Sequence, residues 1–485
     1  MADSTATRPV APRALIDGDL VAAAQTFEVH APATGEVIAS APDCDLADLD
    51  RAVAAARRAQ PSWAADEEAR RAALHRFADL IGERAEELTG LLAEETGHPV
   101  PAAVWEVDGA AHHVRWVADA QVPAYDLPDL SGDRTVAEHV PVGVVAAIVP
   151  WNAPLVMAAH KLAAAIRVGN TVVLKPSPFT PLATLQLATL AAEAFPAGVV
   201  NILSGGDTLG RTMTTHPGID LVSFTGSVET GRAIMAAAAP SLKRLTLELG
   251  GNDAAIVLDD ADPDTIAEGL FQSAFILSGQ VCQAIKRLYV HRSVYDAVVE
   301  RLAAIATAVP VGAPTEPGVA VGPLTTEQQL RRVEELVEDA RAAGGQIRAG
   351  GHRLERPGYF YAPTIVTGLT DADRLVAEEQ FGPALPVLVF DEIDEVVERA
   401  NGTPYGLSAS VWTSDPARGA EVGRRLVGGS VWVNKHAGVD PGIPFGGMRQ
   451  SGIGRESGLA GLLAFTELRT ITVPGGTAAA TEEVA

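Results

Sequence analysis

Apolar residues recur along this chain with two different periods. Between residues 45 and 120, Leu74, Phe77, Leu80, Ile81, Leu88 and Leu91 fall at three- and four-residue steps with Glu and Arg between them. That spacing predicts amphipathic helices packing on a larger body. From residue 144 the pattern changes to short apolar runs separated by helical stretches. Strands are expected at 144–149, 171–175, 199–203, 221–224 and 245–249, with helices at 155–167, 182–194 and 228–239 among the connections. Such alternation predicts a parallel, doubly wound sheet. A second alternating block starts at 254–258 and continues through strands at 288–291, 385–390, 409–412 and 430–434, with a helix at 327–343. Residues 123–142 differ: prolines, a glycine and weak alternation at 135–139 predict a strand excursion away from the main body. The alternating stretch 466–473 is its candidate partner, within the chain or across a subunit boundary.

The 485 residues exceed what one small core needs, so two domains with an appendage are expected. A formal net charge of −24 opposes nucleic-acid and anionic-membrane binding, and no basic stripe interrupts it. An anionic ligand therefore needs a local pocket. The longest apolar candidate, 140–151, is too short to span a bilayer and is broken by Pro141, Gly143 and Pro150. Residues 1–8 open with an acid and lack an apolar core, unlike a secretory signal, and are expected to be a loose tail on a cytoplasmic protein; residues 474–485 are expected to be disordered. The two cysteines, Cys44 and Cys282, make neither metal spacing nor a disulfide framework, and the eleven histidines are scattered, so no metal is expected.

Candidate chemistry clusters where strands end. In an open parallel sheet, ligands bind beyond the carboxyl ends of the strands, and Val149-Pro150-Trp151-Asn152, Lys175 with Ser177, and Thr225-Gly226-Ser227 all lie there. Ser227 is placed to cap the following helix, whose free amides either serve the cap alone or also attract a phosphate. No G-x-G-x-x-G fingerprint follows a strand. The run Glu248-Leu249-Gly250-Gly251 closes a strand on two glycines, and Gly279-Gln280-Val281-Cys282 follows a helical segment. A thiol and a carboxylate brought together suit formation and hydrolysis of a thioester; a structural carboxylate and a buried free cysteine are the alternative. Glu378-Glu379-Gln380-Phe381-Gly382-Pro383 is a solvated acidic loop, or a carboxylate for ribose hydroxyls with a ring for a flat heterocycle. The glycine-rich stretch 444–452 carries little local meaning.

Together, Pro150-Trp151-Asn152, Phe224-Thr225-Gly226-Ser227, Glu248-Leu249-Gly250-Gly251, Gly279-Gln280-Val281-Cys282, Glu378-Glu379-Gln380-Phe381-Gly382-Pro383 and Pro444-Phe445-Gly446-Gly447 resemble the NAD(P)-dependent aldehyde dehydrogenase superfamily in order and separation. The resemblance covers almost the whole chain. It implies an α/β fold with a Rossmann-type parallel-sheet cofactor domain (1–122 and 143–249), a second α/β catalytic domain (250–450), and a small β oligomerisation element with the C-terminal tail (123–142 and 451–485). It implies Cys282 as nucleophile, Glu248 as general base and Asn152 as oxyanion donor. Lys175 would bind the adenosine ribose and Ser227 the pyrophosphate, while Val149, Pro150, Trp151, Ser177, Thr225, Gly226, Leu249 and Gly250 line the cofactor site. Glu379 would hold the nicotinamide ribose, with Phe381 beside the nicotinamide. A homodimer or homotetramer is implied.

The implied chemistry is attack of Cys282 on an aldehyde carbonyl, with an oxyanion held by the Asn152 amide and the Cys282 N–H, each such donor being worth about 3–4 kcal/mol. Hydride transfer then leaves a thioester, which water activated by Glu248 hydrolyses. Three departures sharpen the expectation. Pro178 stands where many NAD-preferring relatives carry a glutamate, so the cofactor is NAD or NADP, with NAD favoured because Lys175 is the only added cation. Ala153 and His160 stand where tunnel aromatics are common. Val281 and Gln283 flank Cys282, and Val439 replaces another aromatic, which suits a bulky or oxygenated aldehyde. The competing classes are a non-catalytic binding protein on the same fold and a cysteine hydrolase in which Cys282 acts with a histidine.

Overall fold

The computed structural model describes residues 11–128, 132–438 and 440–474. The expected N-terminal tail at 1–8, Val439 and all but Pro474 of the 474–485 stretch expected to be disordered lie outside the described residues.

Four helices, Leu46–Ala65, Glu67–Glu83, Ala85–Thr96 and Val100–Asp119, account for the 3.6-residue pattern at 45–120. They pack on a sheet whose strand order is 452–453, 244–248, 221–225, 144–148, 171–175, 200–202, 14–16 and 19–21. Its five central strands are parallel and the flanking ones antiparallel. Successive residues serve opposite faces, as a strand requires. Val145 and Ala147 enter one core with Leu155, Leu162 and Leu187, whereas Val144 and Ala146 enter another with Leu49, Met213 and Ile234. Helices thus cover both faces, and the strands read as continuous apolar runs.

The second sheet runs 346–349, 364–367, 384–390, 285–291, 253–257, 408–412 and 430–433, parallel except for the edge strand 346–349. It too is buried on both faces: Ala254 and Ile256 enter one core, Ala255 and Val257 another.

Thr466–Val473 pairs antiparallel with Arg134–Pro141 inside the same chain, from Thr466 opposite Pro141 to Val473 opposite Arg134, and Tyr125–Leu127 completes that sheet. The subunit-boundary version of this pairing is therefore corrected: the partner strand is intramolecular. Among the described residues of the 451–485 stretch, only this strand joins the small sheet. Gly452–Ile453 instead pairs with Arg244–Glu248 of the first sheet. Leu468, Ile471 and Val473 stand exposed on the outer strand. Among the described residues, no helix is long and apolar enough to cross a membrane.

Candidate active site

Cys282 is presented by a constrained loop. Helix Pro263–Phe275 is followed by Leu277, Ser278 and Gly279 at φ of 48°, 59° and 75°. Left-handed backbone costs a non-glycine residue of order 1–3 kcal/mol, so neighbours must hold it. Ser278 Oγ donates to the Gly322 carbonyl at 2.8 Å, and Gln280 Nε2 donates to that of Leu277 at 3.1 Å. Gln280 Oε1 in turn accepts from the Thr325 N–H at 2.9 Å. A Cβ on Gly279 would lie 2.4 Å from the Gly382 carbonyl, so only glycine lets this loop touch the 378–383 loop.

Glu248 ends strand Arg244–Glu248, and the chain runs from it through Gly250 and Gly251 to the same point. A Cβ on Gly251 would sit 3.1 Å from the Cys282 carbonyl oxygen, so the carboxylate and thiol segments meet. The Asn152 amide donates to the Gln280 carbonyl at 2.8 Å, bringing the third residue to the same loop. Glu248 is buried, and neither carboxylate oxygen has a hydrogen-bond partner among the described residues. Burial, then the charge of Glu456, drives its pKa well above the usual carboxylate range, against Lys161, Arg455 and the Gly447 N–H. Glu456 is itself paired with the buried Lys161, which also donates to Ser223 Oγ at 3.0 Å. The 444–452 loop is more than a connection: a Cβ on Gly446 would lie 2.6 Å from Glu248 Oε1. Gly446 keeps space beside the carboxylate, a role that local sequence did not signal.

Cys282 is half-buried, and its thiol is pushed up to about 12. Burial is the largest cause, and Asp253, Glu379 and Glu248 add to it, while Lys286 opposes them. Lys286 escaped the sequence reading. The available signal was a lysine at the start of strand Ile285–His291, four residues after the cysteine. Its ammonium donates to the carbonyls of Val281 at 2.8 Å and Cys282 at 2.5 Å, and lies 3.2 Å from Glu379 Oε1.

The residues assigned to a dinucleotide are arranged along one sheet edge. Register places Glu248 beside Thr225, Phe224 beside Ile148, and Ile148 beside Lys175. Val149 follows, its N–H bonded to the Lys175 carbonyl. Ser227 caps helix Val228–Ala238 by accepting from the Thr230 N–H. Thr225 Oγ1 is buried without a partner among the described residues. Lys175 is buried, its Nζ donates to the Pro176 carbonyl at 3.2 Å, and desolvation lowers its pKa to about 8. Ser177 Oγ accepts from the Phe179 N–H. Leu249 packs where a side chain on Gly231 would intrude, and one on Gly250 would meet Glu379 at 2.1 Å. Glu379 accepts from the Gly251 N–H at 3.1 Å, and Phe381 meets Trp151 edge to face at 5.4 Å. An orphaned hydroxyl, a capped helix N-terminus and an underused lysine on one edge fit a phosphate-bearing dinucleotide. Among the described residues, no group of three or more His, Cys, Asp or Glu could hold a metal ion.

Of the expected tunnel positions, Ala153 precedes helix Pro154–Arg167, and His160 within it is buried and stacks on His113 at 3.6 Å between centroids. Desolvation lowers both imidazoles, so the pair is neutral at neutral pH.

A model of the aldehyde dehydrogenase family matches residues 20–471. Phenylacetaldehyde dehydrogenase of Pseudomonas fluorescens is 42% identical over 474 residues, covering 93% of each chain. The NAD+ complex of an aldehyde dehydrogenase from Bacillus cereus superposes with a TM-score of 0.94 at 40% identity, covering 96% of each chain. An NADP-dependent enzyme of E. coli superposes with a TM-score of 0.93 at 35% identity, covering 96% of this chain and 98% of the other.

Proposed function

This chain belongs to the aldehyde dehydrogenase family, and we propose from that premise that it oxidises an aldehyde to its carboxylic acid through a thioester on Cys282. The observation that carries the proposal is the meeting of three segments: Cys282, the Gly251 turn after Glu248, and Asn152 bonded to the Gln280 carbonyl. In this reading Cys282 Sγ attacks the carbonyl carbon. Asn152 Nδ2 and the Cys282 N–H donate to the oxyanion that develops. The chemistry a bound nicotinamide supplies is acceptance of a hydride. Glu248 then takes a proton from the water that attacks the thioester. Its unpartnered oxygens and raised pKa suit a group that must accept a proton at near-neutral pH rather than rest in an ion pair.

Lys175, Ser177, Thr225 and Ser227, with Val149, Pro150, Trp151, Gly226, Leu249 and Gly250, would hold the dinucleotide, and Glu379 with Phe381 its nicotinamide end. Family members use NAD or NADP. Pro178 adds no carboxylate to repel a 2′-phosphate, and Lys175 is the nearby cation, so the reading keeps both cofactors with NAD favoured. The exposed outer strand Thr466–Val473 is proposed as the contact of a homodimer or homotetramer. The hydrolase alternative finds its histidine engaged elsewhere: His436, which reaches the Cys282 loop, has Nε2 at the Gln283 carbonyl and Nδ1 at Ser410 Oγ, both at 2.8 Å.

The test is nicotinamide reduction, followed by absorbance, with aliphatic, aromatic and oxygenated aldehydes of graded size, phenylacetaldehyde included. NAD+ and NADP+ are run in parallel, beside Cys282→Ala. Turnover that requires Cys282 and extends to bulky aldehydes is expected. Reaction with short-chain aldehydes alone would sink the wide or polar tunnel, and absence of reduction with every aldehyde would sink the function.

A further inference from the structure

A thiol pushed up to about 12 is a poor nucleophile at neutral pH, since the thiolate is the attacking form. The fold fixes a cation on the backbone of the same loop, and its charge opposes that upward shift. Lys286 is almost fully buried, and its ammonium is fixed by the carbonyls of Val281 and Cys282, the second belonging to the nucleophile's own residue. A buried ammonium costs several kcal/mol in desolvation unless it is paired, and Lys286 is buried at the start of strand Ile285–His291. The pairing it has is incomplete. Glu379 Oε1 at 3.2 Å is its only ion-pair partner among the described residues, and Glu379 also accepts from the Gly251 N–H. Lys286 also lies 5.7 Å from the Phe381 ring centre.

We infer that Lys286 is a positioning residue that holds the Cys282 loop by its two carbonyls and supplies the positive charge that supports the Cys282 thiolate, with Glu379 offsetting part of that charge. The inference rests on the proposed use of Cys282 as nucleophile. The groups it has to outweigh are the carboxyls that face the sulfur from the neighbouring elements: Asp253 at the head of its strand, Glu379 in the 378–383 loop and Glu248 at the end of the first sheet. Asp253 is itself buried and raised to about 7 by desolvation, with Lys286 the main opposing influence, so at neutral pH it is only partly charged. His436 approaches from the last strand's loop, but its Nε2 is engaged by the Gln283 carbonyl and burial keeps it neutral.

The test reads the thiol without aldehyde or nicotinamide, so it stands apart from failure of the dehydrogenase reading. Iodoacetamide alkylation of Cys282 in the full-length protein is followed by peptide mass spectrometry, which separates it from Cys44, across pH 7 to 10.5. In Lys286→Met the rate at pH 8 should fall about tenfold and the profile move about one pH unit upward, the usual reach of one neighbouring charge. In Lys286→Arg, which keeps the charge, the profile should stay near wild type. In Glu379→Gln, which leaves Lys286 facing the sulfur without its carboxylate, it should move downward. Should Lys286→Met fail to fold, the other two variants decide. A Lys286→Met profile lowered equally at every pH, or a Glu379→Gln profile that does not move, would reduce Lys286 to a loop anchor and overturn the inference.

Discussion

Glu248 ends a strand of the first sheet with neither carboxylate oxygen bonded among the described residues, whereas Glu379, in the 378–383 loop, accepts from the Gly251 N–H and pairs with Lys286. Both are shielded from water, and burial raises both. They differ in what surrounds them. Around Glu248, Gly446 leaves space, and the nearby lysine, Lys161, is already committed to Glu456. Around Glu379 the lysine is committed to the carboxylate itself. A buried carboxyl without a partner keeps a high pKa and a free lone pair, which suits exchange of a proton with water. A paired one keeps its charge and direction, which suits holding hydroxyls. In the proposed reaction the same residue type would thus serve two tasks, told apart by one neighbouring cation.

The contrast predicts unequal losses when each carboxylate becomes an amide. Glu248→Gln should slow steady-state turnover by about 10²–10⁴-fold, the usual contribution of a general base. The wild-type hydrolysis rate should climb as pH rises through the raised Glu248 pKa, and the variant should lose that climb. Initial-rate kinetics over pH checks both. Glu379→Gln should leave hydrolysis intact and raise the KM for the nicotinamide by about tenfold to a hundredfold, matching one charge-assisted hydrogen bond of about 1.5–3 kcal/mol. Equal effects of the two variants on KM and kcat would break the contrast.

A third buried carboxyl sharpens it at smaller scale. Glu106 Oε1 accepts from the Leu155 and Val156 N–H groups at the start of helix Pro154–Arg167, while Oε2 has no hydrogen-bond partner among the described residues and lies 4.0 Å from His98 Nδ1. Desolvation raises it to about 8. A carboxyl whose folded pKa exceeds its unfolded value stabilises the protein fully below the unfolded pKa, and that contribution is lost as pH rises through the folded one. Between about pH 4.5 and 8 it should therefore cost roughly 1.4 kcal/mol per pH unit. Glu106→Gln keeps the accepting oxygen and cannot ionise, so denaturant melts of the variant should flatten across that window. An unchanged slope would assign the pH dependence elsewhere.

Much of this was legible because strand ends and glycine turns are local features. The central strands fall within a residue or two of their apolar runs, and Ser227 caps the helix its position implies. The antiparallel pair Gln25–His30 and Val37–Asp43 was not read, since its alternation is half polar and mostly solvated. Lys286 and Glu456 were missed for a different reason. Each matters only through a residue far away in sequence, Glu379 for the one and Lys161 for the other, and no local pattern marks a charge whose partner the fold supplies. Gly446 is of the same kind: its meaning is the space it leaves beside Glu248.

The most direct test of the unpaired base is a single-turnover experiment on Glu248→Gln. The enzyme is mixed with excess aldehyde and nicotinamide, quenched in acid, and analysed for reduced cofactor and for the mass of the Cys282 peptide. The account predicts a burst of one reduced nicotinamide per active site, then a stall with the acyl group on Cys282. A burst followed by wild-type turnover, or no acyl mass on Cys282, would contradict it.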